Sequence, residues 1–290
     1  MRTDLFPPLA DVQTLVRLAL QEDLTPLGDL SSSLLPEGLS GEAKLVARDS
    51  GVVAGSLCVD ETLNSVDSRL NISWEISEGQ SVEAGETLAV IDGSFASMLT
   101  AERTALNFLS HLSGIATNVA KWVEIADGRV RVWDTRKTLP GYRSLQKAAV
   151  RAGGANNHRG NLSDWIMLKD NHLTESSISE AVNLAKQRWP GRTVQVEADT
   201  EGQASQALQA GADIIMFDNF ASDRLALAVK NLKSEAEKLN LNIPLLEASG
   251  GITLETLPAY AETGVDLVSS GSLTNITHSL DIGLDVEAKL

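Results

Sequence analysis

VRVWDTRKTLPGYRSLQKAAVRAGGANNHRGNLSDWIMLKDNHL, residues 130–173, is the stretch from which the rest of the chain is read. It holds two short apolar runs, VRVWD (130–134) and WIMLK (165–169), of strand length and each closing on a charged residue. It also reverses the charge of the chain. Between Arg129 and His172 stand nine Lys and Arg against three Asp, a local charge of +6 in a chain of net charge −15. A basic stretch in an acidic protein points to a site for an anion.

The pattern continues outward from there. TVQVE (193–197), DIIMF (213–217), IPLLE (243–247) and VDLVS (265–269) are further candidate strands, with helical spacing over 177–187, 202–208 and 224–239. Repeated βα units predict a parallel sheet with its helices outside. An open doubly wound sheet and a barrel both satisfy this. Polar residues after almost every strand favour the barrel, whose reactive groups ring one rim. They are Asp134 to Lys137, Lys169 and Asp170, Glu197, Asp218 and Asn219, Glu247 to Gly251, and Ser269 to Gly271.

Upstream, residues 11–22 place Val12, Leu15, Val16, Ala19 and Leu20 on one helical face. AKLVA, GVVAG, NISWEI and ETLAVI read as strands, and 97–126 as helix, with Gly114 a point where it could divide in two. EGQSVEAGETLAVIDG (78–93) resembles a hairpin of biotinyl and lipoyl carrier domains. Carriers need a lysine, and none occurs between Lys44 and Lys121, so a structural sheet is expected. Arg103, by itself, reads as a solvated helix charge. LDIGLDVEAKL (280–290) reads as a last strand returning to the N-terminal sheet.

The bulk composition bounds the function. At 290 residues and 43% hydrophobic, the chain can bury a sizeable core. Its net charge of −15 argues against nucleic acid or anionic membrane as the main partner. A lone cysteine, Cys58, excludes an intrachain disulfide and fits a reducing compartment, with a buried inert thiol the expectation. The opening MRTDLFPPLA has no apolar core of signal-peptide length, which predicts a cytoplasmic protein.

Three groups of residues could carry chemistry. Ser249-Gly250-Gly251 and Ser270-Gly271 follow consecutive strands and precede helical segments, an arrangement that offers backbone N–H groups to a phosphate or forms two ordinary turns. Glu197 and Asp218 end adjacent strands. Either they pair at the rim to hold Mg²⁺ or ribose hydroxyls, or each caps its following helix. Arg136, Lys137, His158, Arg159 and Lys169 supply cations for carboxylate or phosphate. A lysine ending a barrel strand could also form a Schiff base, so an aldolase-like reading of Lys169 stays open.

Together, TAERTALNFLSHLSGIAT, the long block DTRKTLPGYRSLQKAAVRAGGANNHRGNLSDWIMLKDNH, VQVEAD, ADIIMFDN, LLEASGGIT and GVDLVSSGSLT resemble quinolinate phosphoribosyltransferase, the decarboxylating nicotinate-nucleotide pyrophosphorylase family. The resemblance implies an α/β protein with an N-terminal α/β sandwich (1–114, with a C-terminal return at 273–290) and a C-terminal open (β/α) barrel of about seven strands (115–272). The pattern above supplies six of those strands. It implies transfer of phosphoribosyl from 5-phosphoribosyl-1-pyrophosphate to quinolinate with decarboxylation, giving nicotinate mononucleotide, pyrophosphate and CO₂, with Mg²⁺ required. Arg103, Arg136, His158, Arg159 and Lys169 would bind quinolinate. Lys137, Glu197, Asp218, Ser249, Gly250, Gly251, Ser270 and Gly271 would bind the phosphoribosyl donor. Lys137, Lys169, Glu197 and Asp218 would be catalytic, and Glu197 and Asp218 would hold the metal. It further implies a homodimer or larger oligomer in which Arg103 reaches the partner's site. The family's Thr-His-Ser after the last barrel strand reads Thr274-Asn275-Ile276-Thr277-His278 here, leaving that phosphate contact to Asn275 or His278. A same-fold paralogue acting on another substrate and a non-catalytic phosphosugar-binding protein are the competing readings.

Overall fold

In chain order, the computed structural model, which describes residues 5–289, starts with α1 (Leu9–Leu24), β1 (Ser40–Ala47), β2 (Gly51–Val52), α2 (Ser56–Val66), β3 (Asn71–Trp74), β4 (Ser81–Val82), β5 (Thr87–Ser94) and α3 (Phe95–Ala126). It continues with β6 (Arg131–Trp133), α4 (Arg143–Ala152), β7 (Ile166–Leu168), α5 (Ile178–Arg188), β8 (Val194–Ala198), α6 (Glu201–Gln209), β9 (Ile214–Asp218) and α7 (Ser222–Leu239). The last elements are β10 (Leu245–Ser249), α8 (Leu257–Ala261), β11 (Leu267–Ser269), α9 (Ser272–Asn275) and β12 (Ile282–Lys289). The chain packs into two units. The first comprises residues up to Ala120, Thr138–Gly154 and the chain from Leu273; the second comprises Lys121–Lys137 and Ala155–Ser272.

The first unit is built on an antiparallel sheet of order β12-β1-β5-β3. Strand alternation turns Ala43, Leu45 and Ala47 of β1 inward, with Leu88 and Ile91 of β5 beside them. Val59 and Leu63 of α2 and Met98, Ala105, Leu106 and Leu109 of α3 complete the core. Full burial of each such leucine contributes about 1.5–3 kcal/mol. The C-terminal strand does return to this sheet, pairing with β1 from Ser40↔Lys289 to Ala47↔Ile282.

Gly114 does not divide α3, which is one helix of 32 residues. A Cβ there would collide with the backbone carbonyl of His278. The glycine serves close packing, which is why a helix accepts its entropic cost. The α4 segment also belongs to this unit. Its apolar face buries Leu145, Ala148, Ala149 and Val150, and Gly153 sits so close to Ala116 and Val119 of α3 that no side chain would fit. Thus the 138–154 segment, expected inside the barrel domain, packs with the first unit. The boundary expected after residue 114 falls within α3, six residues before the division at Ala120.

The second unit is a parallel sheet of order β6-β11-β10-β9-β8-β7, with all six sequence-predicted strands present. Going from β7 to β11, each strand pairs with its successor, and β11 closes back onto β6. A seventh position exists as one parallel bridge, Trp133↔Asn156. Asn156 N donates to Val132 O at 2.9 Å and Asp134 N to Asn156 O at 3.1 Å. The barrel is open between that bridge and β7. A one-residue strand leaves no apolar run, so the pattern over 155–157 could not announce it.

Candidate active site

The strand ends of the second unit enclose a cavity of about 420 Å³ lined by Thr135, Arg136, Lys137, His158, Arg159, Met167, Lys169, Glu197, Met216, Asp218, Glu247, Ser249 and Ser269. Parallel strands all end on one rim, so residues scattered over 135 positions of sequence converge there. All five predicted cations, both predicted carboxylates and Ser249 line it. Thr135, Glu247 and Ser269 belong to the polar strand ends expected at the rim, and only the two methionines are additions from within the apolar runs.

Glu197 and Asp218 do not cap helices. The N-cap of α6 is Thr200, whose hydroxyl accepts from Gln203 N, and α7 starts at Ala221 without a side-chain cap. That leaves both carboxylates to the cavity. Glu197 accepts a hydrogen bond from Lys169 Nζ. Burial pushes the Glu197 carboxyl up, the Lys169 bond and charge pull it down, and the Asp218 charge raises it again. Asp218 is likewise raised by burial, with Lys169 opposing. The contact also bears on the aldolase reading, because a Lys169 Nζ engaged by Glu197 is not presented freely to a carbonyl.

Arg159 is buried, and its guanidinium pKa is lowered by desolvation and by the neighbouring Arg136 charge. Two guanidiniums that feel each other's charge on one cavity wall suit a ligand with anionic groups. His158 is buried as well. Its backbone N donates to Asp134 Oδ1 at 2.7 Å, and Asn157 Nδ2 donates to Asp134 Oδ2 at 2.9 Å. Asp134 thus fixes the turn that carries the histidine and arginine into the cavity.

The glycine loops are shaped by close approach. Gly250 has φ +89°, and a Cβ on it would stand 2.8 Å from the backbone N of Asn219. Gly251 has φ +62° and open space around it. A Cβ on Gly271 would meet the Lys137 stem at 2.9 Å, so this glycine lets Lys137 cross the rim. Ser270 is buried, and its hydroxyl donates to Ile252 O at 3.1 Å, tying one loop to the other. The glycines have no side chain to offer a ligand, and the Ser270 hydroxyl is already engaged. Arg103 lies in the first unit, exposed on α3 beside Glu102 at 3.9 Å. Asn275 and His278 are also in the first unit and do not line this cavity. Among the described residues no helix is long and apolar enough to cross a membrane.

An open parallel barrel with four Lys and Arg side chains, a histidine and two half-screened carboxylates at its rim suits a polyanion beside a cation-stabilising centre. The comparisons make this specific. The family model "Quinolinate phosphoribosyl transferase, C-terminal domain" matches residues 115–285, and its N-terminal counterpart matches 29–113. A Bacillus subtilis protein named "Probable nicotinate-nucleotide pyrophosphorylase (carboxylating)" is 42% identical over 266 residues, covering 89% of this chain and 88% of that protein. A Mycobacterium leprae nicotinate-nucleotide pyrophosphorylase (carboxylating) is 37% identical over 277 residues, covering 93% and 95%. The solved nicotinate-nucleotide pyrophosphorylase of Francisella tularensis superposes with a TM-score of 0.90 at 36% identity, covering 97% of both chains. The chain belongs to the quinolinate phosphoribosyl transferase family.

Proposed function

We propose that this protein transfers phosphoribosyl from 5-phosphoribosyl-1-pyrophosphate to quinolinate with loss of CO₂, giving nicotinate mononucleotide and pyrophosphate in NAD biosynthesis. The observation that carries this is the joint presence, in one cavity, of a buried Arg159 beside Arg136 and His158, and of the Glu197–Asp218 pair beside Lys137 and Lys169. The first group suits a pyridine dicarboxylate. The second suits a ribose that turns cationic as pyrophosphate leaves.

In this reading Arg136, His158, Arg159 and Lys169 hold the quinolinate carboxylates and aim the ring nitrogen at the anomeric carbon. Lys137 holds pyrophosphate and neutralises it as the bond breaks. Glu197 and Asp218 face the sugar and favour its oxocarbenium-like state. The positive charge on the new pyridinium nitrogen then stabilises the electron pair left at C2 when CO₂ departs, and that pair takes a proton from Lys169 or water. Orientation and fixed charge do the work, so no covalent nucleophile is needed. The backbone of Gly250, Gly251 and Gly271, with Ser249 and Ser270, supports the 5-phosphate.

Mg²⁺ fits this arrangement as a guest of the substrate. Among the described residues no cluster of three or more His, Cys, Asp or Glu could hold a metal by itself. Two carboxylates, Glu197 and Asp218, suit an ion that keeps most of its ligands from phosphates and water. When bound, the ion would screen the pyrophosphate charge. We place the enzyme in the cytoplasm as a homodimer, with Arg103 of each protomer completing the partner's site.

The test is a product assay by mass with phosphoribosyl pyrophosphate and Mg²⁺, offering quinolinate in one tube and nicotinate in another. Nicotinate mononucleotide from quinolinate alone is the expected result. Product from nicotinate alone would overturn the assignment of the acid, and no product from either would favour the paralogue or binding-protein reading.

A further inference from the structure

Glu247 has no part in the reaction as set out above, yet it is fully buried at the base of the cavity. A buried carboxylate survives in a low-dielectric interior only when its oxygens are filled by donors. Gln195 Nε2 donates to its Oε2 at 2.7 Å, and the Ser269 hydroxyl donates to its Oε1. The same Oε2 lies 3.4 Å from His158 Nε2, at ion-pair distance but outside hydrogen-bond geometry.

The orientation of this network follows from one donor-only group. Trp165 Nε1 donates to Gln195 Oε1 at 2.9 Å. An indole N–H cannot accept, so the amide oxygen of Gln195 must face it and the amide NH₂ must face Glu247. Glu247 is therefore surrounded by groups that donate, and a group that only accepts is what the position requires. Its presence opposite Nε2 favours the histidine tautomer with the proton on Nε2. Trp165 packs on the His158 ring at 4.7 Å and Trp133 meets it edge-on at 5.9 Å between centroids, which leaves the ring little freedom. The other oxygen of Glu247 reaches the phosphate loop, because Ser269 Oγ is 3.1 Å from Ser249 Oγ.

We infer that Glu247 is a positioning residue: it holds the His158 ring in the Nε2–H tautomer and at a fixed angle, and through that ring sets the affinity for the acid substrate. The inference rests on the proposed role of His158 in binding quinolinate. Gln195 and Trp165 act behind it as the clamp that keeps Glu247 in place. A glutamine at 247 could keep its amide oxygen toward Gln195 and His158 and turn its NH₂ to Ser269 Oγ, whereas a leucine would remove the acceptor altogether.

The experiment has two readouts, one independent of turnover. The chain contains four histidines, His111, His158, His172 and His278. Their ring nitrogens can be resolved by ¹⁵N NMR and assigned by single His→Gln variants. In the wild-type protein the His158 ring is expected in the Nε2–H tautomer, and Glu247→Leu is expected to shift this ring's signals while the other three stay in place. In steady-state assays Glu247→Leu is expected to raise KM for quinolinate at least tenfold and to change KM for phosphoribosyl pyrophosphate less than twofold, with Glu247→Gln, which keeps the acceptor oxygen, closer to wild type. A wild-type His158 in the Nδ1–H tautomer would overturn the inference even if no variant folds. So would a Glu247→Leu enzyme whose two KM values rise together, which is the signature of a merely structural carboxylate. Failure of the proposed reaction itself would show separately, as no product from the wild-type enzyme with quinolinate.

Discussion

Glu78 in the first unit and Glu197 in the second are both carboxylates that burial pushes above the ordinary range, yet they answer to different partners. Glu78 accepts from Gly55 N at 2.7 Å, from Ser56 N at 3.1 Å and from the Ser56 hydroxyl. Those are the orphan donors at the start of α2, so the side chain is spent on the backbone. Glu197 and Asp218 leave the helices after them to cap themselves and meet Lys169 and a cavity instead. A buried carboxylate satisfied by main chain is committed to the fold. One satisfied by a movable side chain can exchange that partner for a ligand.

The largest expected effects test the second half of this contrast. Lys137→Ala and Arg159→Ala should each lower kcat/KM by at least about 100-fold, the loss of a charge-assisted contact in a dry pocket. Both should leave the far-UV spectrum and the urea midpoint close to wild type. Near-normal turnover in either folded variant would remove that residue from the site. The complementary break is Glu78→Ala. It leaves three donors at the start of α2 without an acceptor and should cost about 2 kcal/mol by urea unfolding, with kcat unchanged below the transition. A matching loss of kcat in the folded enzyme would mean the two kinds of carboxylate are not separable.

Much of this division was legible in the sequence, for a physical reason. Six barrel strands are continuous apolar runs, and their polar last residues mark the rim, so Lys169, Glu197 and Asp218 could be placed on the site before any coordinates. Elements that are short or amphipathic by other rules stayed hidden. β4 is two residues long, and the α2 segment SLCVDETLNSV begins in a run that reads equally as strand. α4 lies in the basic stretch, where the charge pattern drew attention from its apolar face. Gly114 looked like a break because spacing along one chain does not reveal the carbonyl of His278 pressed against it. Glu247 ends the run IPLLE as Glu197 ends TVQVE, and nothing local says that both reach the cavity wall with different partners, one fully buried and the other meeting Lys169. That distinction arises only when Gln195, Ser269 and His158 close around it.

A pH series sharpens the contrast with smaller effects of opposite direction. Glu197 and Asp218 have raised carboxyl pKa values, first through burial, and they act as anions in the proposed chemistry. The acid limb of kcat/KM should therefore sit above the ordinary carboxylate range, with activity falling as pH falls through it. Lys169 is the group that pulls both values down. In Lys169→Met the residual activity should consequently be lost at higher pH than in wild type, and an unmoved limb would take the pair out of the catalytic titration. Stability runs the other way. A carboxyl whose folded pKa is raised binds its proton more tightly in the native state, so the unfolded chain holds fewer protons in the window between the two values. Stability is fully present below the unfolded value and declines as pH rises through the raised one. Glu78 contributes to that decline, and its removal as a titrating group in Glu78→Gln should flatten the slope of unfolding free energy against pH while leaving the acid limb of activity where it was. A limb that moved with Glu78→Gln would tie the first unit's cap to the second unit's chemistry, and the two roles assigned to buried carboxylates would merge into one.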